Sequence, residues 1–308
     1  MNYDITITGN TKDRGLIEFD RLSLLAKSTK EIAEKALMLK VFGYSDIEMS
    51  PQFRKASEIR LEKLVSDEVN GTAMLIDCNY FAESVKTLQI DAFKPELWGD
   101  LSQLTPMALV IESFRAALVD SEDKDNLDKS LLKSLINFKK NFSDKKQVFH
   151  LSNRQTVPEI EIRIDDFKKI ELLTENIPAP AKVTVLGTFD ELKYSKHKVV
   201  LITLDGAINA TVGGDALFQQ MLEYVGKELT ITGMANYKPN GKLSFIEIHS
   251  FSEPGKSDKY FAKIPQALTV HQQIEFQLKE RRSFNPFASL IGKWPGEESW
   301  EEIINELD

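Results

Sequence analysis

Apolar and polar residues alternate through Tyr3, Ile5 and Ile7 at the start of the chain, a period of two that predicts a half-buried strand. "GLIEF" (15–19) reads as a second short strand. Asp20 is then placed to cap a helix whose apolar positions Leu22, Leu25, Ile32, Ala36 and Leu39 keep three-four spacing, with Ala26, Thr29 and Ala33 filling the stripe. That face is expected to lie on a sheet. "EIRLEKLV" (58–65) and "TAMLIDC" (72–78) predict a hairpin with Asn70–Gly71 in or near its turn. Thr105 followed by Pro106 is a strong helix start, and "SEDKDN" breaks the helix that follows. Leu127, Leu131, Leu135 and Phe138 line one side of the next helix. The strands "QVFHLS" and "EIEIRI" and a short helix near "DDFKKIELL" complete an α+β domain over residues 1–174.

Proline punctuation in "ENIPAPAK" marks a linker at 175–182. A second module is expected over 183–253. Its first strand, "KVTVLGTFDEL", carries Gly187, the sign of a bend or bulge. "KHKVVLITL" follows, and Asp205–Gly206 turns the chain into "AINATVG". "DALFQQMLEYVG" is a helix, with Leu217, Met221, Leu222 and Tyr224 expected inward and Gly226 as its stop. "KELTITGMANY" and "KLSFIEIHSF" are joined by "KPNGK". Three strands, a helix, then two strands is the order of an OB-fold. "VLGTFDEL", "LDG", "GKELTITG" and "YKPNGKLSFIEI" together resemble OB-fold modules. The resemblance implies a five-stranded, OB-like barrel. Such a barrel invites single-stranded nucleic acid, with Tyr194, Lys196, Lys198, Tyr237, Lys238 and Lys242 as the candidate residues.

Length and composition narrow the classes. At 308 residues the chain suits two or three modules, and 42% hydrophobic content is that of a globular protein. No apolar run is long enough to span a membrane. The opening "MNYDITITGN" lacks the basic and apolar regions of a signal peptide, and the single cysteine, Cys78, forms no internal disulfide. A cytoplasmic protein is therefore expected. The net charge is -8, yet Ser283–Asp308 holds one base, Lys293, against six acids, so the rest is nearly neutral. No basic stripe of the kind non-specific nucleic-acid binders carry is visible.

Catalytic signatures are missing. His150, His197, His249 and His271 lie far apart, without partners at metal-ligand spacing. There is no GxSxG, Walker A or GxGxxG. Gly213–Gly214 before a helix reads as a strand-to-helix turn, and Asp165–Asp166 as a cap. No cofactor or metal is expected, and a non-enzymatic role leads, the alternative being an enzyme with an unrecognised site in the first domain.

The last residues are the most informative. Ser299 and Glu302 form a capping box. Trp300, Ile303, Ile304 and Leu307 make an apolar stripe on a helix over 300–307. About ten residues are too few for a helix to persist alone in water, so the stripe needs a groove. "GKWPGEESWEEIINEL" resembles the C-terminal tails of bacterial antitoxins paired with PIN-domain ribonucleases. The resemblance implies that the C-terminal extension, 254–308, ends in a helical arm that restrains a toxin-like nuclease in a bacterial toxin–antitoxin or defence system. Trp294, Trp300, Ile303, Ile304 and Leu307 are its candidate contacts. Arg281 and Arg282 are candidates to face an acidic nuclease site.

Overall fold

The computed structural model describes residues 1–9, 15–66, 71–84, 101–119, 124–153, 157–193, 197–268 and 272. By its internal contacts the chain divides into two units, Met1–Ala267 and Leu268–Asp308.

The first unit opens with β1 (Asn2–Thr8), α1 (Phe19–Phe42) and α2 (Pro51–Ala56), followed by β2 (Arg60–Ser66) and β3 (Thr72–Asp77). Helices α3 (Pro106–Leu118) and α4 (Lys129–Phe138) lead to β4 (Val148–Asn153), β5 (Val157–Arg163) and α5 (Phe167–Glu175). The five strands form one antiparallel sheet in the order β2-β3-β1-β4-β5. Two β-α-β halves are thus interleaved, as in a split β-α-β unit, and β5 is added at one edge.

Tyr3, Ile5 and Ile7 point from β1 into the core, as their alternation predicts. The aromatic rings of Phe114, Phe138 and Phe149 meet edge to face across α3, α4 and β4, with centroids 5.2 and 5.3 Å apart. Thr105 caps α3 by accepting from Ala108 N–H, and its hydroxyl also meets Tyr3 Oη at 2.6 Å. Asp128 caps α4 in the same way and accepts from both the backbone and the hydroxyl of Ser45. That buried carboxylate ties the loop after α1 to the start of α4.

Parts of this half differ from the sequence reading, and Leu127, expected on the stripe of α4, precedes its Asp128 cap. "GLIEF" forms no strand. Residues 16–18 are irregular, Leu16 and Phe19 are exposed, and Phe19 already opens α1. Glu18, not Asp20, occupies the N-cap, and Asp20 lies in the first turn, where its charge suits the positive end of the helix.

The second half of this unit is a closed, mixed five-stranded barrel in the order β10-β8-β7-β6-β9. Its strands are β6 (Ala181–Lys193), β7 (Lys198–Thr203), β8 (Gly206–Val212), β9 (Glu228–Tyr237) and β10 (Leu243–Ser252). β6 pairs with β9 through residues 181–188 and with β7 from Thr188 onward, so one long strand serves both sides. The change of partner falls beside Gly187, where a Cβ would press on Ile202 O at 3.0 Å. A parallel pairing of β8 with β10 closes the barrel.

Helix α6 (Asp215–Met221) connects β8 to β9, and Gly226, at φ 80°, ends the helical stretch. Phe218 and Met221 enter the barrel core, Leu217 and Tyr224 pack at its margin, and Leu222 is exposed. The expectation for Leu222 fails because the last turn tightens to a 3-10 helix at Leu222–Tyr224, which rotates the side chains off a 3.6-residue stripe.

Two buried clusters result, one under the sheet and helices and one inside the barrel. Phe189 belongs to the barrel core, whereas Phe245 packs against the α+β cluster. No helix among the described residues is long and apolar enough to cross a membrane.

Candidate functional site

Helix α1 ends at Gly43, which takes the left-handed conformation (φ 84°) and donates to Leu39 O at 2.8 Å. Here a Cβ would also lie 2.7 Å from Asn209 Nδ2, so glycine serves both the turn and the approach of β8. The last carbonyls of a helix lack intrahelical donors and sit at the negative end of its dipole. Phe42 O is one of them. Lys198 Nζ donates to it at 3.1 Å and lies 5.1 Å from the Phe42 ring centroid and 5.8 Å from that of Tyr44. A buried ammonium is thereby held by a carbonyl and two ring faces. Tyr44 stacks on Phe245 of β10 at 4.8 Å. Its hydroxyl has no hydrogen-bond partner among the described residues, and burial pushes its pKa up.

A second contact joins the two halves at the β9–β10 turn. Asp125 lies in a 3-10 turn, Lys124–Asn126, between α3 and α4. Its carboxylate accepts from Lys242 Nζ at 2.6 Å and Asn240 Nδ2 at 2.5 Å, and its backbone carbonyl accepts from Lys238 Nζ at 2.7 Å. The Lys242 hydrogen bond, and then Asn240, hold the Asp125 carboxyl below the usual aspartate range. Asn240, Lys242, Asn209, Ser244 and Gln266 also line a cleft of about 650 Å³.

These contacts relocate the residues expected to meet a nucleic-acid strand. Lys198 is buried in the seam between sheet domain and barrel. Tyr237 is buried as well. Its hydroxyl donates to Gln266 O at 3.3 Å, and burial raises its pKa. Lys238 and Lys242 reach back to Asp125, although the Lys242 side chain stays two-thirds exposed (66%) at the cleft rim. Tyr194 and Lys196 lie outside the described residues. So do the expected partner-binding residues Arg281, Arg282, Trp294, Trp300, Ile303, Ile304 and Leu307. The structure therefore brings four of the six nucleic-acid candidates to one region, where each is engaged within the protein.

Two of the histidines are engaged by carboxylates. His150 Nδ1 meets Glu159 at 3.2 Å, and His197 Nε2 meets Asp215 at 2.9 Å. Cys78 is buried, and burial pushes its thiol pKa up, away from reactivity. Among the described residues no group of three or more His, Cys, Asp or Glu is placed to hold a metal ion. What this region does chemically is hold surfaces together. Asp125, Phe42 and Tyr44 carry the seam. No sequence signal singled them out, because their partners lie more than a hundred residues away.

The Asp125 contact gives a testable pH dependence. A carboxyl with a depressed folded pKa contributes fully above its ordinary value, about 3.9, and loses that contribution as pH falls through the folded value. Asp125→Ala is expected to lower stability at pH 7 by about 1 kcal/mol, a figure kept small because the rim is wet. The difference from the parent protein should shrink in high salt and vanish once pH has fallen below the depressed folded value. Urea unfolding at pH 7 and at low pH reads both effects; a pH-independent difference would mean that packing, not charge, sets the contact.

Compared with protein-family models, with curated proteins and with solved structures, the chain matches none.

Proposed function

We propose that this is a non-enzymatic, cytoplasmic, antitoxin-like protein that restrains a toxin-like effector, a nuclease of the PIN-domain kind, through its C-terminal arm. The observation that carries this reading is the division of the chain at Ala267/Leu268. It separates the segment bearing Trp294, Trp300, Ile303, Ile304 and Leu307 from the unit that builds both buried cores. The acidic amphipathic pattern of that segment suits capture of a basic, grooved partner, with charge accelerating encounter. Arg281 and Arg282 then face the acidic metal site of the nuclease.

In this reading the barrel is OB-like. Strand order β6-β7-β8-β10-β9, with helix α6 on the connection from β8 to β9, supports that assignment. Its role is that of a platform. The loops and strand face that OB-folds use for ligands are here met by Phe42, Tyr44 and Asp125 of the α+β half.

Deletion of residues 292–308 tests the reading. Purified PIN-domain nucleases from the source organism are titrated against the full chain and the truncated chain. Tight binding by the full chain, lost on truncation with the melting temperature unchanged, is the expected result. A truncated protein that melts many degrees lower would assign the arm to the protein's own core.

A further inference from the structure

Residues 253–267 form a strap across the outside of the barrel, where a 3-10 turn at Asp258–Phe261 packs on β6. Four hydrogen bonds hold it in place, three of them to the barrel. Asp258 Oδ2 accepts from Thr230 Oγ1 at 2.7 Å and from Gly255 N–H at 2.8 Å. Leu204 N–H donates to Ala262 O at 3.1 Å, and Ile264 N–H donates to Asp205 Oδ2 at 3.3 Å.

Between these pins the strap displays aromatic rings to solvent. Tyr260 is 87% exposed and Phe261 43%, beside Leu204 at 81%. Isolated exposed apolar residues are ordinary. Two adjacent rings on a segment fixed at both ends are not, because the backbone cannot turn them inward. Lys256, Lys259 and Lys263 are exposed on the same strap, and none forms an ion pair with another described residue. The one carboxylate within this run, Asp258, is drawn toward Thr230 and Gly255. Three lysines and two exposed rings thus share one strap, with Asp258, Glu253 and Asp205 as the carboxylates around them.

We infer that this strap is a binding platform for single-stranded nucleic acid, with bases stacked on Tyr260 and Phe261 and phosphates met by Lys256, Lys259 and Lys263. Stacking on aromatic side chains accepts any unpaired base, since every base has a π-face, while paired bases keep their faces covered. Two rings suit about two nucleotides. A broad anionic lipid surface fits less well. It would also meet the exposed carboxylates Glu253 and Asp205 that flank the strap, which a narrow strand avoids. The rings and lysines of this site are not among the loop-face candidates Lys198, Tyr237, Lys238 and Lys242, although Tyr237 Oη reaches the strap at Gln266 O.

Fluorescence anisotropy with a labelled oligothymidylate of about ten nucleotides, a length within the usual span of such sites, tests the inference. Binding at low salt is expected, with log K falling against log salt at a slope of about -2, as about three phosphate contacts on a single strand require. Tyr260→Ala with Phe261→Ala should weaken binding at least tenfold. The Lys256→Gln, Lys259→Gln, Lys263→Gln variant should flatten the salt slope toward zero. Tyr260→Ala alone, at a site too exposed to support the core, guards against a folding artefact and should show part of the loss. Deleting residues 292–308 should leave the affinity intact, which separates this site from the arm. No binding at low salt would overturn the inference. So would affinity unchanged in the ring and lysine variants, equal affinity for duplex DNA, or binding to phosphatidylserine vesicles without binding to the oligonucleotide.

Discussion

Lys198→Glu is expected to destabilise the protein by roughly 3–5 kcal/mol, the range for leaving an uncompensated charge in a buried site. The lysine is only 6% exposed, and its ammonium sits against Phe42 O at the negative end of α1. A carboxylate there would face a carbonyl oxygen and two ring faces, all of which repel it. The pKa of the new group would rise, so part of the loss should be recovered as pH falls toward 5. Lys198→Met keeps the aliphatic stem and removes the charge. It leaves Phe42 O without this donor, and the expected cost is smaller, about 1–3 kcal/mol. Urea denaturation followed by far-UV circular dichroism and by hydrogen exchange of barrel and sheet amides measures the effects. With the seam weakened, the barrel and the sheet domain should unfold in separate transitions. A glutamate variant within 1 kcal/mol of the parent would show that this seam contributes little.

The second large effect concerns the arm. Trp300→Ala combined with Ile304→Ala should weaken effector binding by about two orders of magnitude or more. Buried tryptophans contribute about 2 kcal/mol or more at interface centres, and 1.4 kcal/mol is about tenfold in affinity. The melting temperature of the free protein should hardly move. Calorimetric titration of the effector and a thermal melt, run on the same preparations, decide the matter. Equal affinity for variant and parent would remove the stripe from the interface.

The barrel was legible because its signals are local. Gly187, Asp205–Gly206, Gly226 and the "KPNGK" turn each mark a place where the chain must bend, and alternation within each strand sets which side faces the core. The helix start at Thr105 was legible for the same reason, since a cap acts on a backbone N–H a few residues away; the Asp128 cap was not singled out, and Leu127, read as part of the stripe, precedes it. The seam was not. Phe42 and Lys198 are 156 residues apart, and Asp125 and Lys242 are 117. Lysines on a strand next to tyrosines read as a ligand surface because lysine is rarely buried. Only the fold supplies the carbonyl and rings that make burial tolerable. "GLIEF" failed differently. A five-residue alternation is too short to outweigh the helix beginning at its last residue.

The interleaved sheet also sets a timetable. β1 leaves the ribosome first, yet its neighbours are β3, at residues 72–77, and β4, at 148–153. Until both have been synthesised, a strand with Tyr3, Ile5 and Ile7 on one side has at least one edge bare. Pairings across such sequence distances are slow because loop closure must precede any reward. In the barrel, β6 likewise waits for β9 before its first half is paired. The nascent chain therefore spends much of its synthesis with sticky strand edges open to other chains, and its yield in a cell will depend on chaperone capacity more than the stability of the finished fold would suggest.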